Sequence, residues 1–238
     1  MFLTSEKQNK IFTFFLIATS FLSLILSGYL ISYPKNYGEK FSYHNVIVGL
    51  TFSIVCFIGS VASIYPNLCG KILFSETLKK TTEIHSEKKI TSPGHHYPCE
   101  KYSNHTLKIG NKYLCATCSG LLIGGMFGII GSIWYFSGYF QVEKISVLAP
   151  LGFMGVFFGL FQSLIPKMEI AYSRFFAGIS LVIGSFILLG SLDQQSNNTL
   201  SDLFFVVISI FWIFTKINLS QKEHRVTCAK CLKKECIN

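Results

Sequence analysis

The sequence predicts an all-α membrane protein: a six-helix transmembrane bundle with a small cytoplasmic zinc-ribbon-like segment. Three observations predict it. Six long apolar blocks divide the chain, its Lys and Arg gather on one side of those blocks, and a spaced set of His and Cys leads into the third block.

The blocks are Ile11 to Tyr33, Val46 to Tyr65, Leu121 to Phe140, Val147 to Ile165, Phe175 to Leu192 and Leu200 to Leu219. The first five have no charged side chain, and at about 1.5 Å per residue each can cross about 30 Å of hydrocarbon. In the sixth only Leu203 to Thr215 is free of charge, between Asp202 and Lys216. These two stand at opposite ends of the block, where Lys216 is expected to snorkel to an interface. Only 14% of the residues are charged, against about 25% in soluble domains. The first block is too long for a cleaved signal peptide, and no small-x-small site follows it.

Orientation follows from the basic residues. With the N-terminus inside, only Lys35, Lys40 and Lys144 of the 21 Lys and Arg fall outside, and the loop from Ser191 to Asp202 has none. Both termini are therefore expected in the cytoplasm, in the cell membrane. The formal charge of +9 reads as an inside-facing membrane signature that meets the lipid bilayer, with no nucleic-acid partner. Tyr29, Tyr33, Tyr43, Tyr65, Trp134 and Tyr135 lie near block ends, as an interfacial belt requires.

Glycines are expected to hold the bundle. Gly120, Gly124 and Gly128 share one helix face, with Gly155 and Gly159 in the fourth block and Gly178, Gly184 and Gly190 in the fifth. Small residues at such spacing let helix backbones approach closely. No ionisable residue stands mid-block, which disfavours a charge-coupled transporter. Gln162 is the most polar interior side chain and reads as a helix-to-helix hydrogen bond, Cys56 as a packing residue and His44 as an interfacial one. Phosphate-loop, zinc-protease and nucleophile-elbow motifs are missing from the sequence.

The chemistry lies in GHHYPCEKYSNHTLKIGNKYLCATCSG, Gly94 to Gly120. His96 and Cys99 are separated by two residues, as are Cys115 and Cys118, with fifteen residues between the pairs. This is zinc-ribbon spacing: each pair bites one ion, and a hairpin turning at Ile109, Gly110 and Asn111 brings the pairs together. Zinc is the expected cofactor. In a reducing cytoplasm clustered thiols are metal ligands rather than disulfides, and a helix start favours thiolate. His95 or His105 could replace His96, and a redox dithiol at Cys115 and Cys118 is the alternative chemistry.

The tail holds a second cluster, His224, Cys228, Cys231 and Cys236. It reads as a separate site, a contribution to the first, or free thiols. The expected organisation is helices 1 and 2 in residues 1–66 and a cytoplasmic loop at 67–118 with the metal segment at 94–118. Helices 3 to 6 follow at 119–219, and a Cys-rich tail at 220–238. Within the loop, Lys71 to Lys89 reads as a helix on the inner membrane surface or a solvated linker.

At His95, His96, Cys99, His105, Cys115, Cys118, Gly120 and Gly124 the chain resembles a group of prokaryotic multi-span membrane proteins of unknown function. That group carries His-His-x-x-Cys, a further His, and Cys-x-x-Cys-x-Gly entering a Gly-rich helix. A broader related family begins with Cys-His instead, and this chain departs from it there. The resemblance implies an inner-membrane, metal-binding protein and no particular activity.

Three functions compete. The first is a non-enzymatic scaffold or interaction module, whose structural metal site meets a protein partner at the cytoplasmic face. The second is a metal- or thiol-dependent membrane enzyme acting on a lipid-like substrate. An open metal position and a general base would be needed there, and Glu100 is the one acid at hand. The third is a facilitator or channel for a neutral solute. No catalytic residue is assigned.

Overall fold

The computed structural model describes residues 2–33, 41–64, 105–109, 112–138, 145–165, 170–196 and 198–229. Among these, six helices are long and apolar enough to cross a membrane, as expected of a multi-pass membrane protein. They are α1 (Phe2–Ser32), α2 (His44–Ile64), α3 (Ala116–Phe136), the run Ile145–Leu164 built on α4 (Ala149–Phe161), α5 (Ala171–Gln195) and α6 (Thr199–Ala229). A 3-10 turn at Ile145–Leu148 leads into α4, and another at Gln162–Leu164 follows it.

Polarity is inverted relative to a soluble protein. Large apolar side chains cover the outside, among them Phe14, Leu22, Phe57, Val147 and Met154, while Ser20, Ser27, Ser132, Ser185, Ser209 and Thr215 are buried between helices. Hydrocarbon around the bundle would reward this arrangement, whereas water would penalise it. Trp134, Tyr29, Tyr33 and Tyr43 are exposed, as a belt would have them.

Helix α5 is the centre, with α3 and α4 against it. Both contacts are glycine-mediated. A Cβ added at Gly178 would lie 2.9 Å from the Leu121 nitrogen, and one at Gly184 2.7 Å from the Gly152 carbonyl oxygen. The expected glycine faces are thus where backbones meet. Helix α2 packs on the other side of α3, where Ser132 donates to the Gly49 carbonyl (3.0 Å) and Cys56 packs against Gly128.

Helix α1 is pinned to α6 by side chains. The Ser20 hydroxyl donates to Thr215 Oγ1 (3.0 Å), and the Trp212 indole N–H donates to Ser23 Oγ (2.8 Å). Interhelical bonds of this kind contribute about 0.6 kcal/mol on average. Ser20→Ala and Thr215→Val should each cost about that much, and the double variant no more than either single one. Unfolding in mixed micelles measures it; fully additive costs would mean that the two hydroxyls are energetically separate.

Ahead of α3, strands β1 (Thr106–Ile109) and β2 (Lys112–Cys115) pair antiparallel, with Thr106 opposite Cys115 and Ile109 opposite Lys112. The two strands of the expected hairpin are therefore present, with Ile109 paired in β1 and Gly110 and Asn111 outside the described residues. Leu107 and Ala116 pack with Ala171 and Phe175, docking the hairpin on the starts of α3 and α5. Helix α3 begins at Ala116, five residues before the expected apolar block. Hydropathy missed this turn because buried Thr117 faces protein there, not lipid.

Candidate functional site

Two regions hold chemistry, at opposite ends of the bundle. At the hairpin end, β2 delivers Cys115 to the N-terminus of α3 as its N-cap residue, and Cys118 follows in the first turn. His105 directly precedes β1 and is buried, as is Cys115, while Cys118 is partly exposed. The hairpin thus carries three sequence-predicted residues on one short unit, but they do not form a group of potential metal ligands within 4.8 Å of one another. His95, His96, Cys99, Cys231 and Cys236 lie outside the described residues, as does the Lys71 to Lys89 segment. Helix α6 continues through His224 and Cys228, where only the backbone is described.

Also toward this end, the Arg174 guanidinium pairs with Glu223, joining α5 to α6. Lys216 is 1% exposed. Its ammonium donates to Gln162 Oε1 (3.4 Å) and Ser163 Oγ (3.3 Å). Gln162 makes the helix-to-helix bond expected of it. Lys216 does not snorkel: α6 carries on past it as helix to Ala229, so the side chain turns into the bundle. Arg174, one residue before the expected fifth block, lies in the first turn of α5 and is 2% exposed.

At the other end, His44, Asp193 and Asp202 form the one group of three or more potential metal ligands that the described residues bring within 4.8 Å of one another. Each comes from a helix terminus: His44 opens α2, Asp193 sits in the last turn of α5, and Asp202 is in the first turn of α6. His44 Nε2 lies 2.6 Å from Asp193 Oδ1 and 3.6 Å from Asp202 Oδ2. His44 Nδ1 lies 2.8 Å from Thr199 Oγ1, which also accepts the Phe41 N–H at 3.2 Å. The Tyr135 hydroxyl donates to Asp193 Oδ2 at 2.9 Å. Asp202 is fully buried, Asp193 is 7% exposed and His44 3%.

Reading the sequence block by block misses this cluster. His44, expected at an interface, stands at a helix terminus but is enclosed by Asp193, Thr199 and Asp202, and none of the three ionisable groups stands mid-helix. A signal was available. Asp193 and Asp202 flank a loop without a basic residue, and the topology puts the start of the second block at that same end. Three ionisable groups at one membrane face invite pairing. No protein-family model, curated protein or solved structure matches the chain.

Proposed function

We propose that this chain is a membrane-embedded scaffold whose Cys- and His-rich segment holds a structural zinc ion on the cytoplasmic face and presents it to a protein partner. The observation that supports this is the hairpin, which carries Cys115 and Cys118 to a helix N-terminus. A helix N-terminus favours thiolate, the form that takes metal. His96 and Cys99 would complete a four-ligand set, closed to water as structural zinc sites are. Eighteen of the 21 basic residues share this side when both termini are cytoplasmic, which fits a surface that meets anionic headgroups.

Metal analysis tests the reading. Full-length protein purified in detergent under reducing conditions should carry zinc bound through sulfur. Cys115→Ser and Cys118→Ser should each lower zinc affinity at least about tenfold, and lower the thermal midpoint because binding free energy is folding free energy. Protein without sulfur-bound metal would sink the reading. A fold that survives both substitutions while a thiol or hydrolase activity disappears would favour the enzyme.

A further inference from the structure

At the start of α5, two buried cations and one carboxylate gather. Arg174 is 2% exposed and Lys216 1%, and Lys216 feels the charges of both Arg174 and Glu223. The Arg174 guanidinium pairs through one terminal nitrogen with Glu223, whose side chain is 22% exposed. Its buried Nε has no hydrogen-bond partner. The Lys216 ammonium meets neutral oxygens, Ser163 Oγ at 3.3 Å and Gln162 Oε1 at 3.4 Å. Buried donors, charged ones above all, are costly to leave short of acceptors. Helix α5 brings its own N–H groups to the same corner. It begins at Ala171 with no side-chain cap, and Arg174 is its fourth residue. The positive end of a helix favours an anion.

We propose that this corner is a phosphate-binding site, with the Glu223 carboxylate holding the phosphate's place on Arg174. A guanidinium receives both oxyanions with the same fork of N–H groups. A phosphate has more oxygens than a carboxylate, so it can serve Nε and the first-turn N–H groups as well. Glu223 is the most exposed of the three charged side chains and is the one that yields. Arg174 and Glu223 stand at ends of the membrane-crossing runs Ala171–Gln195 and Thr199–Glu223, at the level of lipid phosphates. Exposed Tyr172 beside them is an interfacial residue type. Basic pockets between transmembrane helices hold anionic headgroups in this manner. An anionic lipid is one source of the phosphate, and inorganic phosphate is the other.

Thermal unfolding of the full-length protein in a maltoside detergent and phosphate-free buffer tests the site, with phosphatidylglycerol or inorganic phosphate added. At about 100 times the dissociation constant, the midpoint should rise by about 5 °C. A rise with phosphatidylglycerol alone supports a lipid headgroup, and a rise with inorganic phosphate supports a soluble source. Glu223→Gln should gain more than wild type from the same additive, since nothing then competes for Arg174. Arg174→Gln should bind it at least about tenfold more weakly. The double variant Arg174→Met with Glu223→Met, in which no buried cation is stranded by loss of its partner at this pair, should gain nothing. No rise with either additive in wild type and in Glu223→Gln would overturn the site. So would an equal rise in the double variant, which would be a general effect of lipid or salt.

Discussion

Gly184→Val is expected to leave little folded protein. Helix α5 passes between α3 and α4 with no side chain at the crossing points, and at Gly184 even a methyl would stand 2.7 Å from the Gly152 carbonyl oxygen and 2.9 Å from the Val156 nitrogen. The obstacles are backbone atoms in a second helix, so no rotamer change relieves the clash, and the helices must separate. Separation forfeits packing along the whole crossing, which in a membrane supplies most of the attraction. A cost of at least about 3 kcal/mol follows. Gly178→Val should behave alike against α3, where a Cβ would meet the Leu121 nitrogen and the Gly120 carbonyl carbon. Gly59 is the control: nothing lies within 4 Å of its added Cβ. Gly59→Ala should be neutral or stabilise α2 by up to about 1 kcal/mol. Unfolding midpoints and size-exclusion profiles in detergent read all three. A wild-type midpoint for Gly184→Val would mean that α4 and α5 are not in backbone contact.

The glycine faces were legible in sequence because helix periodicity alone puts Gly120, Gly124 and Gly128 on one stripe. The apolar blocks were legible for a similar reason, since crossing hydrocarbon demands length and composition before it demands any particular neighbour. The hairpin could be read from its turn residues and from the Cys spacing around it. His44, Asp193, Asp202 and Tyr135 could not be joined this way. They are 149 residues apart between His44 and Asp193, and their meeting depends on which helix ends become neighbours. Lys216 failed for a related reason. Hydropathy ends a span at the first charge, whereas α6 has Gln162 and Ser163 waiting across the bundle.

Glu223→Gln is expected to be the more damaging half of the Arg174–Glu223 pair. Arg174 is 2% exposed and Lys216 1%, and Lys216 feels the charges of both Glu223 and Arg174. Glu223 lies seven residues after Lys216, on the same face of α6. Removing its charge leaves two buried cations, Arg174 and Lys216, without that carboxylate, at a cost of about 3 to 5 kcal/mol. Arg174→Gln removes one of those cations and leaves Glu223 with Lys216 nearby, so its cost should be roughly half as large. The double variant Arg174→Met with Glu223→Met should recover much of the loss, because an apolar pair of similar volume carries no desolvation penalty. Unfolding midpoints of the three variants decide it, and equal losses in both single variants would mean that Lys216 takes no part.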